Sequence, residues 1–507
     1  MKENNNRIIS ALGGLSSPLD LSTGSVAIVL AAGHGKRIRS ERSKMLHTIW
    51  GVPTVNRVIS AVEKGLENVC EIIVVGIKAL QVARAVGKRD NRIFVYQREQ
   101  NGTGDAVRTA IDAIPKDKLK GVIYIFPGDM GLLNDMTISK FSREFTDNPC
   151  DMMVLTGEFR GNPMQNYYGR IIRIPPRDRF GNDSGKDAGK VAEIKEFKDI
   201  VEMDEGTHYI LKFNSREYLF SREELLNIRE FNAGVYAFKA HCLSKYLKEL
   251  RTDNVQGELY VTDMISIFKK HGLSVKASTA ADNKVILGFN IKSVLKKMEA
   301  IAREEVYNKL KDIITIEDEE DFFIAEEVVE QILHMDKQMG PLDIRIGKGV
   351  YVSKGVQLNK GVIIKNFSRL DGNIILGENV CIEEGAHLST YHDQTMKLGR
   401  GAEILKGNII KGNLIIGENS RIESGVNITG SDEFPTRIGN NVLIKGTSYI
   451  FGSIIEDDLW IEHSVLKCKY VERVKKKNGK VQKVRYILPL PEGLDSIRDI
   501  EGDKGEI

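Results

Sequence analysis

Five basic side chains follow a short apolar run within nine positions: Lys36, Arg37, Arg39, Arg42 and Lys44, in VAIVLAAGHGKRIRSERSKMLH, residues 26–47. Gly33 and Gly35 stand just before them. Tight glycine turns aim backbone N–H groups at anions, and adjacent positive charge strengthens the hold on phosphate oxygens. The chemistry this suggests is phosphate binding. It is not a Walker loop, because Leu30 stands where glycine is needed and Arg37 replaces the Ser or Thr after Lys36. It is not a dinucleotide fingerprint, because Ile38 occupies the third glycine position. Taken alone, the pattern also fits a tight turn before a solvated basic helix.

The elements around it alternate. Strand-like runs fall at 26–30, 71–76, 93–97, 122–126 and 151–157. Between them, Val55, Val58, Ile59 and Val62, then Val107, Ala110, Ile111 and Ile114, keep helical spacing. Pro53 suits the first turn of the earlier helix. Such alternation predicts an α/β, Rossmann-like domain with a mostly parallel sheet and helices on both faces. Ligands in such folds sit beyond the carboxyl ends of the strands.

After Leu342 the period changes. Aliphatic residues recur every six positions from Ile346 through Val352, Leu358, Ile364, Leu370, Leu376 and Ile382 to Leu388. The series resumes at Leu398, Ile404, Ile410, Ile416, Ile422 and Ile428, and again at Ile438, Ile444 and Ile450, after steps of ten. Neither a helix nor a hairpin sheet keeps such a period; a parallel β-helix does, with one inward aliphatic per face. The longer steps predict corner loops at STYHDQTMK and TGSDEFPTR. The domain reading is a polar N-terminal extension (1–24), the α/β domain (25–292), a helical connector (293–340), the β-helix (341–467) and a tail (468–507).

With 507 residues, several domains are expected. A net charge of +3 argues against a nucleic-acid-coating protein. No apolar run approaches the roughly 20 residues of a membrane span, and the N-terminus lacks a signal-like apolar core. The five cysteines are far apart, with no CxxC pair, as expected of free thiols in the cytoplasm. No nucleic-acid or membrane partner is expected.

The glycine loop with SKMLH, then YQREQNGTGDAV and IFPGDM, resembles the sugar-1-phosphate nucleotidyltransferases. More closely, it resembles the bifunctional N-acetylglucosamine-1-phosphate uridylyltransferase/glucosamine-1-phosphate acetyltransferases. YYGRI, KVAEIKEFKD, FNAGVYAF, NVQGELYVTDMI and GFN follow in the family's order. The resemblance covers residues 25–300 and extends to the second half as architecture, since that family appends a left-handed parallel β-helix of hexapeptide repeats.

The resemblance implies attack of a sugar-1-phosphate on the α-phosphorus of UTP, giving UDP-N-acetylglucosamine and pyrophosphate. Another hexose-1-phosphate, dTTP, or a degenerate head serving assembly are the alternatives. It implies catalytic roles for Arg37 and Lys44, and a Mg2+ held by Asp129 and Asn290. It implies nucleotide binding by Leu30, Ala31, Ala32, Gly33, Gln97, Gly102 and Thr103, and sugar binding by Gly169, Glu196 and Asn232. The segment QGELYVTDMI reads mainly as structure, with Thr262 or Asp263 capping a helix that ends near Gly272. Ser43 replaces the family's proline, GDMG replaces GDxP, and the segments 173–188 and 204–229 are longer than usual.

The family's second activity, acetyl transfer, uses an HLTY histidine and a CNYDG loop. Here HLSTYHD places one extra residue between His387 and Tyr391, and GSDEFP stands for the later loop. Assembly, as a homotrimer, is therefore the expected role of the β-helix. The basic tail KCKYVERVKKKNGKVQKVRY reads as an exposed strand pair turning at NGK.

Overall fold

The apolar run before the glycine loop forms strand Ser25–Ala31, with Val26 to Val29 buried. Its side chains alternate between two cores: Ala27 and Val29 join Ile73, Val75 and Phe126, while Val26 and Ile28 join Ile72, Val74 and Ile125. A strand covered on both faces needs such a continuous apolar run. The structure is a computed structural model that describes residues 2–33 and 35–490. It divides into two units, 1–301 and 302–507.

In the first unit the sheet order is Val275–Thr279, Met152–Glu158, Glu230–Lys239, Val122–Pro127, Ser25–Ala31, Cys70–Val75, Arg92–Tyr96. Glu230–Lys239 runs antiparallel to its two neighbours in this order; the other pairings are parallel. The chain leaves Ser25–Ala31 toward one edge and returns at Val122–Pro127 on the other side. That reversal opens a crevice at the carboxyl ends of the two central strands. Helix Thr54–Gly65 buries Val55, Val58, Ile59 and Val62, and Thr103–Asp112 buries Val107, Ala110 and Ile111.

The expected polar extension is instead helix Lys2–Leu15 followed by an edge-covering segment. Leu12 is buried in the core. Ser17 N donates to Arg92 O at 2.8 Å, and Phe94 N donates to Ser16 Oγ at 2.9 Å. The segment thus satisfies backbone groups that the edge strand Arg92–Tyr96 would otherwise expose. Ile8, Leu12 and Leu15 keep helical spacing and pack on this core, a face the reading of the segment as a polar extension passed over.

In the second unit, parallel strands stack into three sheets, consistent with a left-handed parallel β-helix. Arg345 pairs with Ile363, and Ile363 with Cys381, so one coil takes eighteen residues, three faces of six. Every aliphatic of the six-residue series is at most 3% exposed. The two ten-residue steps fall between strands His387–Ser389 and Met396–Leu398, and between Asn427–Gly430 and Thr436–Ile438. Both loops leave the same corner. Another corner repeats a left-handed residue in successive coils, at Gly361, Asn379, Gly401, Asn419 and Asn441. These stand three positions after an inward aliphatic, where glycine or asparagine best tolerates the left-handed backbone. The glycines directly after the aliphatic instead make room, since a Cβ at Gly377, Gly399 or Gly417 would lie 2.7, 2.6 or 2.5 Å from the next coil's backbone.

The β-helix starts earlier and ends later than the periodicity indicates. Strands Thr315–Ile316 and Phe322–Ile324, within the expected connector, pair with Arg345–Ile346 and Val350–Val352. The first coil replaces its third strand with helix Glu326–Met339, which hides the repeat. Within the expected tail, Tyr470–Val471 and Val484–Arg485 extend two of the sheets. Between them the basic segment forms the expected hairpin, with an antiparallel bridge from Lys475 to Val481. Residues 491–507 lie outside the described residues.

Candidate functional site

Gly35 shows why the opening loop is built from glycine. It sits at φ +65°, and a Cβ there would come within 2.8 Å of Lys44 Cβ. The loop therefore folds down onto Lys44, whose side chain is 9% exposed. Lys44 opens a short turn, Lys44–Leu46, beneath the strand ends. Its Nζ pairs with Asp129 Oδ2 and donates to Asn290 Oδ1 at 2.8 Å. The same ammonium stands 5.4 Å from the centre of the buried Phe289 ring. Asp129 follows strand Val122–Pro127, while Asn290 comes from 161 residues later, after the turn Asn283–Ile286. The fold thus brings Lys44, Asp129 and Asn290 to one point.

Two oxygens aimed at one cation form a hard-donor pair. Among the described residues, no group of three or more His, Cys, Asp or Glu could hold a metal. A metal at this pair would need substrate phosphates and water to complete its shell, which is how Mg2+ is commonly held. The residues fit.

Beside the pair lies a cleft of about 660 Å³. Leu30, Ala32, Gly33, Gln97, Gly102, Thr103, Asp129, Glu196 and Asn232, all singled out from the sequence, line it. Gln97 is buried; its Nε2 donates to Asp105 Oδ2 at 2.8 Å and to Gly102 O at 3.2 Å. Gly102, at φ +102°, leaves no room for a side chain: a Cβ would lie 2.4 Å from Leu259 O. Thr103 Oγ1 accepts from Val261 N at 3.1 Å, knitting this wall to the segment that carries Thr262.

Glu196 ends the strand side of the pocket as N-cap of helix Phe197–Val201, without a side-chain cap bond. Burial, with Asp199 and Asp263 adding like charge, pushes its carboxyl up to about 7. Burial and the Glu193 and Asp199 charges likewise raise Asp263 to about 6. Gly169 does not line the cleft; it backs Glu196, where a Cβ would come 3.2 Å from Oε1. Its carbonyl accepts from Asn232 N at 2.9 Å, so the three expected sugar residues converge. Asn232 Nδ2 donates to Tyr236 OH at 2.7 Å.

Two expected residues stand apart from the cleft. Ala31 is buried and does not line the cleft. Arg37 is exposed on the turn Lys36–Ile38, outside the lining residues. His34, in the same loop, lies outside the described residues. Sequence reasoning also missed Lys198, Gln256, Glu258, Val261 and Thr262, which line the cleft. QGELYVTDMI is thus a cleft wall as well as a helix start; Met264–Lys270 follows, with no side-chain cap from Asp263. Its Gln, Glu and Thr, all polar before a helix, were the available signal.

The MobA-like NTP transferase domain family matches residues 27–188. Over roughly half to two thirds of its length the chain is similar to the bifunctional GlmU proteins. The bifunctional protein GlmU of Acetivibrio thermocellus is 33% identical over 305 residues, 60% of this chain and 57% of that protein. That of Clostridium tetani is 33% identical over 326 residues, 64% and 62% respectively. That of Corynebacterium glutamicum strain R is 34% identical over 271 residues, 52% and 48%. The aligned stretches thus span about half to three fifths of these relatives. A Bacillus anthracis structure assigned as a glucose-1-phosphate thymidylyltransferase is 18% identical, covering 55% of this chain and 95% of that one at a TM-score of 0.37. A score that low supports no inference. The cleft lies at the switch point of the sheet, where open α/β folds bind their ligands.

The β-helix carries His387 on strand His387–Ser389 and Tyr391 in the following loop, 80% exposed. Burial, then the Arg369 and Lys411 charges, hold the His387 imidazole below its usual pKa.

Proposed function

We propose that the head transfers a uridylyl group from UTP to N-acetylglucosamine-1-phosphate, releasing pyrophosphate. The observation that carries this reading is the convergence of Lys44, Asp129 and Asn290 beside the cleft. Nucleotidyl transfer needs alignment and charge neutralisation more than covalent help. The Ala32–Gly33 backbone offers the phosphates a turn, with Lys44 as the buried positive charge. Asp129 and Asn290 would hold a Mg2+, which would supply positive charge to neutralise the phosphates and the departing pyrophosphate. Gln97, Gly102 and Thr103 shape a wall for the base. Glu196 and Asn232 present a carboxylate and an amide to sugar hydroxyls. Arg37, exposed on the loop, is read as a contact to the triphosphate. The β-helix is read as an assembly element forming a homotrimer; exposed Ile415, Ile454 and Tyr470, in one row with Arg437 on one of its sheets, support that.

Pyrophosphate release, screened across UTP, dTTP and a set of sugar-1-phosphates with Mg2+, tests the reading. UTP with N-acetylglucosamine-1-phosphate should give the highest kcat/KM. Asp129→Ala should lower it by at least about 100-fold, the scale of losing one preorganised electrostatic contact. Unchanged turnover in that variant would remove the metal assignment.

A further inference from the structure

The longer segments 173–188 and 204–229 are one object. Strands His208–Phe213 and Arg216–Ser221 form a hairpin, and helix Arg222–Asn227 follows it. Tyr218 OH donates to Ser184 Oγ at 3.2 Å, and Asn214 Nδ2 donates to Asp187 Oδ2 at 2.9 Å, tying the hairpin to the other segment. Its inner residues Leu211, Tyr218, Leu225 and Leu226 pack with Ile172, Ile174, Ala192 and Ile200 in a small core of their own.

Two of those contacts straddle Glu196. Ala192 lies on the strand before it and Ile200 on the helix after it. Two polar bonds straddle it again: Tyr209 OH donates to Glu193 Oε2 at 2.5 Å, and Arg222 Nη2 donates to Val201 O at 2.9 Å. Glu196 needs such an outside hold. It stands as N-cap before a five-residue helix, without a side-chain cap bond, beside Asp199 and Asp263. Like charges in a desolvated site push one another apart.

We propose that the inserted hairpin is a clamp that positions Glu196 for the sugar-1-phosphate, with Tyr209 as its positioning residue. The inference rests on the cleft reading above. The hairpin grips the two elements flanking Glu196, whereas Gln97, Gly102 and Thr103 stand on another strand–helix junction, which Asn101, Thr103 and Gly104 bond to residues 259–261. Loosening the clamp therefore falls on the sugar and spares the nucleotide.

Tyr209→Phe keeps the ring and deletes the hydroxyl; Glu193→Gln keeps the acceptor oxygen. In the full chain, Tyr209→Phe should raise the KM for sugar-1-phosphate about five-fold, the scale of one hydrogen bond. The nucleotide KM, kcat and melting temperature should stay near wild type, and Glu193→Gln should match wild type throughout. An unchanged sugar KM in Tyr209→Phe, or an equal rise in both KM values, overturns the clamp. Calorimetric binding of sugar-1-phosphate separates the two readings. If wild type binds it without turnover, the reaction assignment fails and the ratio of Kd values decides the clamp. If wild type binds none, both fall.

Discussion

Lys44 and Glu196 meet their charge requirements in different ways. Lys44 is buried against a carboxylate and an amide oxygen, so its charge has partners. Glu196 is desolvated beside Asp199 and Asp263, with Lys198 as the nearby cation, and its carboxyl rises to about 7. The sign follows from linkage. The folded chain holds this proton where the unfolded chain, near 4.5, has released it. Stability therefore falls as pH rises from about 4.5 to about 7, and this contribution is flat above that. The slope from one such group is at most about 1.4 kcal/mol per pH unit. Glu196→Gln should flatten the decline, read by denaturant midpoints across pH 4.5–8; an unchanged slope would contradict the carboxylate's burial. Asp263, raised to about 6, leaves a smaller residual slope. The identity of Glu196 was legible through its motif. Its protonation was not, because Asp263 comes from 67 residues away in the chain.

Among the elements, the junction of Gly102 with helix Thr103–Asp112 is the most sharply constrained part of the cleft. Gly102 is at φ +102°, a region costly for other residues, and its space is filled by the Leu259 backbone. Gly104 N then donates to Leu259 O at 2.7 Å, so two chain segments close on each other there. Gly102→Ala should cost about 2–4 kcal/mol in folding free energy, combining strain with a backbone clash. It should also weaken nucleotide binding at least about ten-fold, checked by urea unfolding and by titration with UTP. The NGTG run marked this turn in the sequence, yet nothing in it named Leu259 as the opposing surface. Helix Glu326–Met339 shows the converse: its own pattern reads as a helix, but its place as one face of a β-helix coil shows only when the flanking strands pair.

For the whole molecule, the six-residue repeat and the α/β alternation imply separate units with separate tasks. The β-helix core is apolar and close-packed, with Ile404, Ile410, Ile416 and Ile422 fully buried. Strand His387–Ser389 and the loop after it carry His387 and Tyr391 in a spacing that departs from the acetyltransferase pattern. Incubation of the chain with acetyl-CoA and glucosamine-1-phosphate should release no CoA thiol above background in a colorimetric thiol assay. Stoichiometric release would assign chemistry to the β-helix.

The periodicities by themselves determined the two architectures, because burial of a strand, a helix face or a coil corner is a local demand written at fixed spacing. The glycine, lysine and aspartate motifs likewise singled out Gly33, Lys44 and Asp129, which lie in or beside the cleft. Only the tertiary structure decided that Lys44 bridges Asp129 and Asn290, that helix Lys2–Leu15 and the segment after it cover a sheet edge, and that the 204–229 insert brackets Glu196. Each of those depends on segments distant in the chain meeting at one point. Side-chain spacing along a single element carries no record of such meetings.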